Sequence, residues 1–140
     1  MKSIINDAVN YLCVQTLGFD VKSAKSLGKG FYGASIPLYK DDTEFNFYLF
    51  FKKDTLKNFA KAFLGQDDVS EADFDDLSKE ISNQIIGRVK VVLNNSNDKS
   101  QYKLGTPEFL GEVTNFNIKL DNKIIYKIKN RTFQIGYKKV

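Results

Sequence analysis

Two alternating apolar runs on either side of a short polar stretch restrict this chain more than any other feature. Tyr32, Ala34, Ile36 and Leu38 alternate along the first run, Phe45, Phe47, Leu49 and Phe51 along the second, and Lys40-Asp41-Asp42 lies between them. Successive side chains of a strand point to opposite faces, so the pattern predicts an antiparallel hairpin with one strongly apolar face. Tyr48 and Phe50 fall on the other face of the second strand, which predicts a sheet covered on part of both sides. Pro37 has no N–H for the ladder and predicts an edge or bulge position.

The same period returns near the C-terminus. Phe116, Ile118 and Leu120, then Ile124, Tyr126 and Ile128, then Phe133, Ile135 and Tyr137 alternate, with Asp121-Asn122 and Asn130-Arg131 between them as two-residue turns. These runs predict a three-strand antiparallel meander, set off by the Gly105-Thr106-Pro107 break from a short extended segment. Helical spacing appears elsewhere. Ile4, Ile5, Ala8, Val9, Leu12, Cys13 and Thr16 predict an N-terminal helix ended by Gly18, followed by a weakly patterned extended stretch and a Gly28-Lys29-Gly30 turn. Asp54 or Thr55 is expected to cap a short helix with Leu56, Phe59, Ala60, Phe63 and Leu64 as its apolar stripe, closed by Gly65. Ser70 and Asp73 have capping-box spacing. They open a long helix expected over about 71–94, ended by the polar run 94–100. The order of helix, strands, two helices and strands predicts an α+β fold with an antiparallel sheet.

A chain of 140 residues is long enough to bury a core without staples, and 1–140 is expected to form a single domain. With no histidine and the single cysteine Cys13, the chain lacks the usual zinc and copper ligands and any Ser-His or Cys-His nucleophile pair. Cys13 reads as a small core residue. Chemistry here must use carboxylates, amides, hydroxyls, lysines or a metal held by a partner. No Gly-rich run has the lysine or helix context of a phosphate cradle. The N-terminus lacks the apolar core and small-residue cleavage site of a secretory signal, and no apolar run is long enough to span a bilayer, so a cytoplasmic, membrane-free location is expected. A net charge of +4 permits nucleic acid without requiring it. Lys119, Lys123, Lys127, Lys129, Lys138 and Lys139 read as outward positions that discourage edge-to-edge pairing, so no nucleic-acid partner is expected.

The long helix carries the chemistry. Phe74, Leu77, Ile81, Ile85 and Val92 form one stripe, and Glu80, Asn83 and Gly87 fall on the opposite side. Asn and Gly weaken an exposed helix interior, Gly by about 1 kcal/mol relative to Ala. A solvated face with a glycine kept for close packing is one account of the trio. The other is functional: a carboxamide can hold a water in line for attack on phosphorus, a carboxylate one turn away can pair with a partner lysine, and a glycine leaves room for an approaching backbone.

Glu80-x-x-Asn83-x-x-x-Gly87 in mid-helix resembles the signature of the CheX/CheC/FliY family of chemotaxis phosphatases. The N-terminal helix, the hairpin containing Gly33, the short helix with Gly65 and the Gly105-Thr106-Pro107 break are similar to CheX in order and spacing. The resemblance implies a CheC-like fold and removal of the phosphoryl group from the phospho-aspartate of a CheY-type response regulator. It implies that Asn83 orients the attacking water and Glu80 engages the regulator's lysine, neither acting as a nucleophile. Gly87, Gln84, Asp76 and Lys90 are the expected partner contacts. No cofactor or metal of the chain's own is implied, Mg2+ being expected in the regulator. CheC-like members carry two Glu-x-x-Asn helices. The only other candidate here is Asp7-Ala8-Val9-Asn10, whose acid is one methylene shorter and which reads as an ordinary solvated helix face, so the chain is most similar to CheX. A homodimer follows from the same resemblance. Two alternatives stay open: a non-catalytic module that binds a response regulator or a flagellar or chemotaxis component, and a purely structural dimerisation domain.

Overall fold

The computed structural model describes residues 1–95 and 101–140; residues 96–100, the remainder of the polar run expected to end the long helix, lie outside the described residues. Lys2–Asn10 form α1, which widens into π-type turns over Tyr11–Thr16, and Gly18 ends it with φ +72°. Val21–Ser23 (β1), Phe31–Lys40 (β2) and Thr43–Lys52 (β3) follow, then Lys53–Leu64 (α2). A tight turn at Glu71–Asp73 leads into Phe74–Asn94 (α3). Lys103–Leu104 (β4), Glu108–Val113 (β5), Asn122–Ile128 (β6) and Arg131–Lys139 (β7) complete the chain. The fold is α+β and CheC-like in architecture, with every strand pair antiparallel.

The expected hairpin is the centre of the sheet. Its register pairs Lys40 with Thr43 across Asp41-Asp42, where Asp41 takes φ 52°. The strand order is β1-β6-β7-β3-β2-β4, with β5 also pairing β2 beside β4. Ala34, Ile36, Leu38, Phe47, Leu49, Phe51, Phe133 and Ile135 are fully buried on the inner face. All three helices cover that face, through Ile5, Ala8 and Val9 of α1, Leu56, Phe59 and Ala60 of α2, and Phe74, Ile81 and Ile85 of α3. Phe51 stacks on Phe133 at 6.0 Å and Phe59 meets both edge-on, tying α2 to the sheet. Pro37 sits where β2's outer partner changes from β4 to β5, opposite the Gly105–Pro107 break; Gly105 N–H donates to its carbonyl at 2.9 Å. The interruption leaves no ladder donor to be missed at Pro37.

The structure corrects three local expectations. Residues 116–120 are not a strand, so the C-terminal meander reduces to the β6–β7 hairpin, flanked by β1 and β3. The reason is topological: β5 and β6 stand four strand positions apart, about 19 Å at the usual spacing. The link 114–121 must therefore cross the strands rather than pair with them. Its apolar residues pack on the outer face, Phe116 edge-on to Tyr48 and Phe50 at 5.2 and 4.8 Å. Leu120 lies so close to Gly136 that any side chain there would collide with it. Second, Asn122 opens β6, and the last turn is Lys129-Asn130 with φ 46° and 63°, one residue earlier than the pattern suggested. Both central residues take the left-handed conformation that a two-residue hairpin turn requires. Third, neither Asp54 nor Thr55 caps α2. Lys52 precedes its first turn, and Thr55 is buried with its hydroxyl donating to the Thr132 carbonyl at 2.6 Å.

Candidate functional site

The turn before α3 is a capping box, in which the Asp73 carboxylate accepts from Ser70 N–H at 3.1 Å. Acids in the first turn complement the helix dipole. From there the buried face of α3 runs through Phe74, Leu77, Ser78, Ile81, Ser82, Ile85, Ile86 and Val89. Val92, expected on that stripe, is only half-buried. The far end is fixed by Asn94, whose side chain donates to the Tyr102 carbonyl at 2.9 Å and accepts from its N–H at 2.7 Å. A helix pinned along one face and at both ends has a fixed rotation.

That rotation sets out the predicted residues. At about 100° per residue, Asp76, Glu80, Asn83, Gly87 and Lys90 fall within one narrow stripe opposite the core, with Gln84 at its border. Asp76, Glu80 and Gln84 are exposed, while Asn83, Gly87 and Lys90 are half-buried. Gln84 Nε2 donates to Glu80 Oε1 at 3.0 Å, so Gln84 steadies the carboxylate. Glu80 forms no ion pair, and the Asn83 carboxamide no hydrogen bond, among the described residues. The two donors and the acceptor of that carboxamide are thus unengaged among the described residues.

The neighbours of the pair are already engaged. Lys79 Nζ lies 2.7 Å from Asp75 Oδ1. That bond holds the ammonium above its ordinary pKa, with burial opposing and the charges of Asp76 and Glu108 adding to it. Arg88 stacks over Tyr11 at 4.2 Å. Among the described residues, an added Cβ at Gly87 would meet only Leu104 Cδ2, at 3.8 Å. This is ordinary contact, so packing within the chain does not require a glycine there.

Asp7 and Asn10 are exposed on α1, as an ordinary solvated face would be. Tyr126 and Phe133, two of the rings interleaved with the C-terminal lysines, are buried against each other at 5.1 Å and offer no platform for bases. One neighbouring feature was not evident from sequence. An open groove of about 580 Å³ lies between α2 and α3, lined by Phe63, Leu64, Val69, Leu77, Asp76 and Glu80 among others. Its signal was Leu64, which spacing places on the buried stripe of α2 but which is 58% exposed. Among the described residues no helix is long and apolar enough to cross a membrane.

The family model described as chemotaxis phosphatase CheX matches residues 32–128, from the central hairpin through α3 to β6. The chain belongs to the CheX family. Solved structures share its fold. The chemotaxis protein CheX of Vibrio vulnificus superposes with a TM-score of 0.79 at 16% identity, covering 100% of this chain and 95% of its own. A CheC-like superfamily protein of Shewanella sp. PV-4 gives 0.75 at 19% identity, over 98% and 96%. A chain in the CheX-CheY-BeF3-Mg+2 complex of Borrelia burgdorferi gives 0.72 at 15%, over 99% and 96%. No curated protein sequence matches the chain. CheX membership agrees with the resemblance carried by Glu80-x-x-Asn83, and the CheC-like architecture recurs in these neighbours.

Proposed function

We propose that this chain dephosphorylates the phospho-aspartate of a CheY-type response regulator, working as one unit over residues 1–140. The observation that carries the reading is the unpartnered Asn83 carboxamide beside Glu80 on the exposed stripe of α3, in a chain of the CheX family. Support also comes from the Borrelia burgdorferi complex, since BeF3 stands in for a phosphoryl group and that CheX is bound to CheY in the presence of Mg2+.

The chemistry needs little from this chain beyond position. Water attacks phosphorus, the bond to the aspartyl oxygen breaks, the regulator's carboxylate leaves, and the water's proton ends on the released phosphate or in solvent. Asn83 accepts from the water and donates to the phosphoryl oxygens, holding the nucleophile in line. Glu80, steadied by Gln84, pairs with the regulator's lysine and fixes the angle at which α3 enters. Gly87 gives clearance, and Asp76 and Lys90 extend the contact stripe. Mg2+ belongs to the regulator's site and neutralises charge there.

The test is phosphate release from a panel of phosphorylated receiver domains. Wild type accelerates decay for at least one, and Asn83→Ala loses about a hundredfold of that acceleration, the usual scale for one positioned polar group. Equal decay with wild type and Asn83→Ala overturns the assignment of Asn83. A receiver that binds without faster decay marks the chain as a binding module instead. We further propose cytoplasmic action as a homodimer. The apolar outer-face cluster of Tyr48, Leu110, Phe116 and Ile118 supports the dimer, Leu110 and Ile118 being 38% and 41% exposed. Sedimentation of a single monomeric species at micromolar concentration would refute the dimer.

A further inference from the structure

The groove beside Glu80 has an apolar floor and an acidic rim. Phe63, Val69 and Leu77 form the floor, Leu64 lines the lip, and Asp73, Asp76 and Glu80 stand around it. Leu64 is left on the lip because Gly65 turns the chain there with φ +66°. The charge is local: residues 67–80 hold seven carboxylates and one lysine in a chain of net charge +4. Four of those carboxylates are engaged inside the chain. Asp67 faces Lys61 at 3.4 Å, Glu71 accepts from Tyr32 at 3.0 Å, Asp73 caps the turn, and Asp75 holds Lys79. Asp76 and Glu80 line the groove and form no ion pair among the described residues.

We infer that this groove is a docking pocket for the response regulator itself, taking an apolar side chain flanked by Lys or Arg from the surface bordering the phosphorylation site. The inference rests on the proposed function, which makes a receiver domain the partner. Two observations select the occupant. The carboxylates of Asp76 and Glu80, without ion pairs among the described residues, repel anions and attract a basic surface, while the floor needs an apolar group to replace water. Glu80 both lines the groove and stands three residues, about 4.5 Å along the axis, from Asn83. Whatever fills the groove therefore lies immediately beside the atoms on which Asn83 acts. Chemistry and choice of partner are thereby divided. Asn83 addresses an acyl phosphate common to all receivers, and the groove reads the charge and shape around it, which differ between them.

The test uses a receiver domain whose phosphate the wild-type chain removes, loaded with BeF3 and Mg2+ for equilibrium binding and phosphorylated for turnover. Leu64→Ser changes an exposed residue at the end of α2, and circular dichroism checks that the fold is kept. The half-saturating receiver concentration should rise about five- to thirtyfold, the range of a buried interface side chain, while turnover at saturation holds. Asp76→Asn should weaken binding and flatten its dependence on salt. Unchanged binding in both variants overturns the pocket even where Asn83→Ala abolishes turnover, leaving the catalytic reading in place. Weakened binding in both variants with an inert Asn83→Ala substitution supports the pocket and removes the catalytic reading. Dissociation of a dimer of this chain by Leu64→Ser, with receiver binding unchanged, would make the groove a contact between copies and overturn the inference.

Discussion

Gly87 offers a direct test of whether α3 is shaped for its own fold or for a partner. Glycine inside a helix costs roughly 0.8–1 kcal/mol relative to alanine, through backbone entropy. In this structure the cost has no internal return. Gly87 is not in a left-handed conformation, and among the described residues a methyl group there would touch only Leu104, at an ordinary 3.8 Å. Gly87→Ala should therefore stabilise the chain by about 1 kcal/mol, nearly all of it from helix propensity and about 0.1–0.2 kcal/mol from the one contact with Leu104. For a chain of 140 residues this corresponds to a rise in Tm of about 3 °C. Urea unfolding followed by circular dichroism should show a higher midpoint at an unchanged slope. The same methyl group projects from the stripe that carries Glu80 and Asn83, so affinity for a BeF3-loaded receiver should fall as stability rises. A destabilised variant would show that the fold itself needs the glycine. A stabilised variant that binds and turns over like wild type would leave Gly87 without a role at the interface.

Two further expectations concern the framework. Thr55→Val should cost about 1–2 kcal/mol in denaturant unfolding, because Thr55 is fully buried and its loss leaves the Thr132 carbonyl without its 2.6 Å donor; no change in midpoint would show that this bond does not hold α2 to β7. Cys13 is fully buried, and burial pushes its thiol up from 9.0 to about 12. Iodoacetamide at pH 8 should therefore label it only at the rate of unfolding, and labelling as fast as a free thiol would contradict the burial. The folded state keeps a proton that the unfolded state gives up, so this contribution is complete below pH 9.0 and is lost as pH rises through 9.0 toward about 12. Cys13→Ala should flatten that alkaline decline in a pH series of unfolding midpoints.

Much of this architecture was legible because its signals are local. Alternation along residues 32–38 and 45–51 forces a hairpin whatever surrounds it, and the apolar stripe of α3 fixes which side Glu80 and Asn83 can occupy. The errors arose where a local pattern has two physical meanings. Phe116, Ile118 and Leu120 alternate because they lie across the outer face, a decision made by the distance between β5 and β6 and not by the residues themselves. Thr55 has the chemistry of a cap, but the position of β7 claims its hydroxyl. The turn slipped by one residue because Lys129, with no marked preference for positive φ, adopts it beside Asn130. The groove was hidden for a related reason: spacing assigns Leu64 to the stripe of α2, whereas the turn at Gly65 leaves it on the lip.

The pair on α3 has no duty in the core, and this separates its cost from its use. Glu80 is exposed and Asn83 half-buried, and among the described residues neither bonds to any other element. Asparagine is a poorer helix former than alanine by about half a kcal/mol. Asn83→Ala should accordingly leave the chain as stable as wild type or slightly more so, while the proposed activity falls about a hundredfold. A residue kept for folding would show the two quantities falling together. The decisive measurement is thus the pair of them on one preparation: thermal unfolding beside phosphate release. Loss of both would place Asn83 in the fold, loss of neither would leave it an ordinary solvated residue, and only loss of activity at full stability fits a carboxamide held out to position water.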